Sequence, residues 1–299
     1  MTGARAVAAG IAALCLSAQV QQPVFRSSTD AVFVDVSVMA NRRTVADLTL
    51  TDFSLTDNGV AQVIDAVTLA RDPIDLQLLV ETGGELRTLV PAILKDAAMV
   101  KSLLLPGDRA GLVTFDSQVR TGPSRDTVAD RGEDGTVLFD AIAAVLIQRE
   151  EPGRRRVIVV VTAGVDTHSM LDRATRRRIL ERSQPPVHLI AVGRRPIAFV
   201  IGSSVGPDGM PRTDSAMRVA DHSAALREVA DVSGGRVFAL DGEGSFLDPL
   251  RQALDEFRTR YVLHYRPKGV DLPGWHALVV NVTRRGSYDI RARRGYWRD

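Results

Sequence analysis

The stretch LQLLVETGGELRTLV, Leu76 to Val90, begins as a short apolar run and stops at a carboxylate. Leu76, Leu78, Leu79 and Val80 leave only Gln77 polar, as a strand buried on both faces requires. Glu81, Thr82, Gly83, Gly84 and Glu85 follow, two acids around bare backbone. Pro91 then fits the first turn of a helix.

The same alternation continues along the chain. Ala110–Phe115, Val157–Val161, Val187–Val192 and Val237–Leu240 are further short apolar runs. Helical patterns lie between most of them. Ala92–Leu105 aligns Ile93, Ala97, Val100 and Leu104 on one face, and Thr136–Ile147 aligns Leu138, Ile142, Val145 and Leu146. Asp172–Arg182 and Ala224–Val232 are shorter candidates. Gly244–Arg258 carries Phe246, Leu250, Leu254 and Phe257, with its regular part expected from Pro249 behind an Asp248 cap. Apolar strands alternating with helices predict an α/β fold, a doubly wound, mostly parallel sheet of about six strands.

The flanks follow a different period. In AVFVDVSV, residues 31–38, Val32, Val34, Val36 and Val38 share one face, as in a half-buried strand. Two short strands are expected around Asp52–Leu55 and Ala61–Leu69, with a hairpin turn at Asp57-Asn58-Gly59. After Arg258, three sets alternate: Tyr261, Leu263 and Tyr265; Leu278, Val280 and Val282; Tyr288, Ile290 and Ala292. Without crossover helices these strands cannot extend a parallel sheet. Residues 30–72 and 259–299 are therefore expected to form one small β domain, with the α/β unit, 73–258, inserted between its halves. Ile197–Asp214, with its Gly206-Pro207-Asp208-Gly209 turn, predicts a protruding loop or hairpin.

Composition sets the class. The chain has 299 residues, 45% hydrophobic and 25% charged, with a net charge of +2. These values describe an ordinary globular protein and argue against nucleic acid as a partner. Arg154-Arg155-Arg156 and Arg176-Arg177-Arg178 read as solvated faces. Arg5 precedes the apolar stretch AVAAGIAALCLSA, too short to span a bilayer and shaped like a signal peptide within residues 1–22. The only cysteine, Cys15, lies in that stretch, and the preceding Leu14 is not the small residue a lipoprotein signal uses. The mature chain is thus expected to be periplasmic or secreted, without disulfides or a transmembrane segment.

In an open α/β sheet, ligands gather beyond the carboxyl ends of the strands. Three loops meet that description: Glu81–Glu85, Asp134-Gly135-Thr136 and Thr162-Ala163-Gly164-Val165-Asp166. Loops of this kind supply oxygen ligands to hard cations.

From about Val32 to its end, the chain resembles the von Willebrand factor A-type domains of secreted bacterial proteins. DGTVLFDAI, residues 134–142, and RRVIVVVTAGVDTHS, residues 155–169, carry the resemblance in the core. DLTLTDFSLTDNGVAQVI, YVLHYRP and IRARRGYW carry it in the flanks. The resemblance implies a protein-binding or adhesion module, not an enzyme. Its family's ion motif is Asp-x-Ser-x-Ser, then a Thr, then an Asp on the third loop. Here Glu81 stands in the first Asp's place, Gly83 and Glu85 replace the serines, Thr136 is retained, and Ala163 occupies the last acid's place. Glutamate's extra methylene moves its oxygens by roughly 1.5 Å, beyond the tolerance of a metal site. In one reading Glu81, Glu85 and Thr136, with waters, still hold Mg²⁺ or Ca²⁺. In the favoured reading no cofactor is bound, Glu81 and Glu85 are solvated acids, and Thr136 caps its helix. Either way the ligand-binding surface is expected at Glu81, Thr82, Gly83, Gly84, Glu85, Thr136, Ala163 and Asp166, facing a protein ligand the sequence does not identify.

Other patterns carry less. Gly202-Ser203-Ser204-Val205-Gly206 has the spacing of a hydrolase elbow, with Ser204 as nucleophile, but Pro207-Asp208-Gly209 follows where a helix is required. His168, His188, His222, His264 and His276 show no metal-ligand spacing. Trp275 and Trp297 read as packing residues.

Overall fold

A computed structural model describes residues 31–121, 135–193, 202–205, 211–214, 222–240 and 244–298. The candidate signal segment, Asp134 and most of 197–214 lie outside these residues. From Ala31 onward the chain forms one compact unit.

Its centre is a six-stranded sheet: β1 (Ile74–Glu81), β2 (Arg109–Phe115), β3 (Val119–Thr121), β4 (Arg155–Thr162), β5 (Val187–Val192) and β6 (Val237–Leu240), in the order β6-β5-β4-β1-β2-β3. Every neighbouring pair is parallel except β2 with β3, a short antiparallel edge. The order reverses between β1 and β4, so the loops after these two strands diverge over one crevice.

Five helices cover the sheet: α1 (Val90–Met99), α2 (Leu138–Leu146), α3 (Arg173–Arg182), α4 (His222–Ser233) and α5 (Leu247–Arg258). Leu79, Phe115, Ile158 and Val160 pack against α2, α3 and α4 on one face. Leu78, Val80, Val159 and Val161 pack against α1 and α5 on the other. Each residue from Val157 to Val161 is 0% exposed, which explains why no polar residue interrupts that run. Each such burial contributes about 1.5–3 kcal/mol. α5 starts at Leu247, two residues before the expected Pro249. The Asp96 carboxylate of α1 accepts from Ser245 Oγ and Phe246 N, so the cap comes from another helix and Asp248 sits in the first turn instead.

The chain's flanks pair with each other. Val32–Ala40 lies antiparallel to both Tyr261–Tyr265 and Asp289–Ala292, and Ile64–Leu69 pairs with Tyr261–Tyr265. In a second sheet, Gly274–Val282 lies between Phe53–Asp57 and Gly295–Arg298. Val34, Val36, Leu55, Tyr261, Tyr265 and Leu278 share the core between these sheets. Asn58 (φ 46°) and Gly59 (φ 80°) make the hairpin turn, both left-handed as a two-residue hairpin demands. The expected single strand Ala61–Leu69 is two: Val60–Gln62 stays in one sheet and Ile64–Leu69 joins the other, with Val63 exposed at the switch. Gly202–Val205 and Pro211–Asp214 pair antiparallel as a two-stranded ladder.

Candidate functional site

The crest above β1, β2 and β4 gathers the expected site residues. β1 ends at Glu81, and the chain turns at once through Thr82 and Gly83 into a single 3-10 turn, Gly84–Leu86. Two glycines permit that turn for separate reasons. A Cβ at Gly83 would stand 2.9 Å from Asp116 Cβ, so a serine there would collide with the end of β2. Gly84 has φ +52°, which side chains rarely adopt. Thr82 is held to β2, its N–H and hydroxyl both donating to Phe115 O.

Glu81 is not solvated. It is 0% exposed, and the expectation of two solvated acids holds only for Glu85, which lies exposed on the 3-10 turn. The added methylene of glutamate carries the carboxyl across to β4. There one oxygen accepts from Thr162 Oγ1 at 2.5 Å and from Ala163 N at 2.9 Å. The other oxygen, Oε1, is buried without a hydrogen-bond partner, 3.5 Å from where a Cβ on Gly84 would sit. Burial, with the nearby charges of Glu85 and Asp166 adding to it, pushes the Glu81 carboxyl up to about 7, while the bonds from Thr162 and Ala163 act against the rise.

Thr136 is buried beside the same turn, its methyl 3.4 Å from where a Cβ on Gly84 would be. It does not cap α2, whose N-cap residue is Val137. Its hydroxyl donates to Val165 O at 2.5 Å, and its backbone bonds Thr167, accepting also from His168 N. The cap of α2 comes from the third loop: Ser169 Oγ accepts from Phe139 N and Asp140 N and donates to Asp166 Oδ1 at 2.6 Å. Asp140 answers by accepting from Met170 N and Leu171 N. These reciprocal bonds fasten the second and third loops together.

Glu81, Gly84, Thr136 and Ala163 thus meet at one place, with Thr82 and Gly83 turned toward β2 and Asp116. Asp166 is tied to Ser169 beside them. Sequence reasoning did not single out Asp116, Asp140 or Ser169 as site residues. Asp116 was findable, since it stands at the carboxyl end of β2 just as Glu81 does on β1. Among the described residues, no three of His, Cys, Asp or Glu stand close enough together to hold a metal ion.

No protein-family model matches the chain, and no curated protein matches it either. Solved structures resemble it, and von Willebrand factor A-type domains are among them. BatB from Bacteroides thetaiotaomicron is 15% identical with a TM-score of 0.41, over 62% of this chain and 98% of that one. A von Willebrand factor type A protein from Catenulispora acidiphila is 10% identical with a TM-score of 0.40, over 92% of this chain and 76% of that one. The SpRpn10 VWA domain is 12% identical with a TM-score of 0.36, over 62% and 97%.

Proposed function

We propose that this chain is an extracytoplasmic protein-binding module of the von Willebrand factor A type, whose crest works without a metal ion. The inward-turned Glu81 carboxyl carries this reading. A hard cation takes six or more oxygens, carboxylates among them. Here one Glu81 oxygen is spent on Thr162 and Ala163, and the Thr136 hydroxyl is directed at Val165 O. Ala163 adds no side-chain oxygen and Gly83 none. The donor set does not fit a divalent ion, and the glutamate bridges β1 and β4 in an ion's place.

Binding would fall on the surface left outside: Glu85, the Ala163–Asp166 loop and Met170, which is 90% exposed on the rim. Residues 30–72 and 259–299 are read as one β domain that frames the α/β unit, 73–258. The sequence pattern of residues 1–22 supports export. No helix of the described residues is long and apolar enough to cross a membrane. The hydrolase alternative loses support at Ser204, which lies within a two-strand ladder opposite Arg212, whereas an elbow serine needs a strand-to-helix turn.

Thermal unfolding with Mg²⁺, Ca²⁺ or Mn²⁺ tests the metal-free crest. The melting temperature is expected to move by less than about 1 °C at millimolar ion, since a ligand that binds the folded state would raise it. A rise of several degrees that Glu81→Ala abolishes would overturn the reading. A protein ligand captured from cell-envelope extract should bind equally in EDTA and in Mg²⁺, and should be lost with Glu85→Lys combined with Met170→Asp. Capture that survives this double change would place binding elsewhere.

A further inference from the structure

The far edge of the central sheet offers a second surface. Among the described residues β6 pairs with β5 alone. Arg236 O accepts from Leu189 N and Leu240 O from Gly193 N, so the alternate residues 236, 238 and 240 turn their backbone groups toward β5. The backbone groups of Val237 and Ala239 therefore face outward. Natural edges of this kind are blunted by lysine, proline or an inward charge. β6 reads Val-Phe-Ala-Leu and carries none of them.

A cleft of about 680 Å³ runs beside that edge. β6 contributes Val237, Phe238 and Ala239 to its lining, α5 adds Pro249 and Gln252, and the Asn41-Arg42 turn and Tyr288 line it as well. The volume falls within the range of small-ligand sites, roughly 300–1,000 Å³. The outward backbone of β6 and these side chains line one cleft, so an occupant of the edge meets both. Charge in the cleft is uneven. Arg236 is held by Glu256 at 2.9 Å and by Asp289 at 2.6 Å. Arg42 is exposed on its turn and forms no ion pair with any described residue.

We propose that β6 is a docking edge for an extended peptide segment of a partner protein, which adds as a further strand and places an acidic side chain against Arg42. Main-chain bonds to Val237 and Ala239 would supply affinity, and alternate side chains over Pro249 and Tyr288, with the Arg42 pair, would supply selectivity. This surface is distinct from the crest and does not depend on how the crest works.

A displayed library of random peptides, panned against the full chain, tests the idea. Enriched peptides should alternate apolar residues and carry one acid. Ala239→Pro removes an outward N–H and leaves the β5 ladder intact, so it should weaken the selected peptides by at least about tenfold with the melting temperature unchanged. Arg42→Glu, on an exposed turn, should weaken them by about tenfold as well, and replacing the peptide's acid by lysine should restore binding to that variant. Should Ala239→Pro fail to fold, the Arg42 charge swap decides alone. The proposal is overturned if no peptide enriches, if the selected peptides bind both variants as tightly as the parent, or if sedimentation reveals a dimer of this chain that Ala239→Pro dissolves.

Discussion

Glu81 makes the crest sensitive to pH. A carboxyl ordinarily near 4.5 titrates in the folded chain at about 7. As pH rises, the unfolded chain releases this proton first and the folded chain keeps it longer. Stability from this group is therefore full below 4.5, falls across the window up to about 7, and is level above it. The gap corresponds to roughly 3 kcal/mol. Urea unfolding at about pH 5 and about pH 8 should reveal the fall, and Glu81→Gln should flatten it. Glutamine retains an oxygen for Thr162 and Ala163 and carries no charge to bury. A variant that keeps the parent's slope would assign the proton to another group. Asp57 is the other residue on which much rests. It is 0% exposed, accepts from Tyr265 and Tyr296, and meets His276 Nδ1 at 2.9 Å. Asp57→Ala leaves those buried groups without their acceptor and should cost about 3 kcal/mol or more in chemical denaturation. In the sequence Asp57 is only the first residue of a hairpin turn. Its partners stand more than 200 positions away, beyond any local pattern.

At the scale of elements, what a periodic pattern can carry was legible. The apolar runs and the helical faces between them announce the α/β class, because burial acts on every residue from Val157 to Val161 alike. The ends of the elements were not legible. Thr136 has the chemistry of a cap and stands before α2, yet its hydroxyl goes to Val165, and Ser169, 30 residues beyond Phe139, caps the helix in its place. α5 begins early because Asp96 lends it an acceptor from α1. Such caps come from tertiary neighbours, which no local window contains. Ser169→Ala should accordingly cost about 1–2 kcal/mol, the penalty of losing an N-cap, and should raise amide exchange across both crest loops. A loss confined to α2, with the third loop still protected, would show that the two loops are not fastened through this residue. The candidate site was partly legible: Glu81, Thr136 and Ala163 do converge. The direction in which Glu81 turns was hidden, since one methylene of reach decides between facing solvent and bridging to β4.

Across the whole molecule, arginines connect the α/β unit to the flanking strands. Arg155 at the start of β4 meets Asp35 at 2.7 Å, Arg236 meets Asp289, and Arg293 donates to Glu181 O. A double-mutant cycle on Arg155 and Asp35 should give a coupling of about 1 kcal/mol, modest because Asp35 is partly solvated. Val32–Ala40 lies between Tyr261–Tyr265 and Asp289–Ala292, so the beginning and the end of the described chain are clamped together. Because these strands run antiparallel, the start of Val32–Ala40 and the end of Asp289–Ala292 leave the pair at the same side, so tension between them would unzip the ladder pair by pair, while everything from Ile74 to Arg258 hangs beside the line of force as slack. A molecule anchored at one end and pulled at the other would keep its crest undeformed until the clamp itself ruptured.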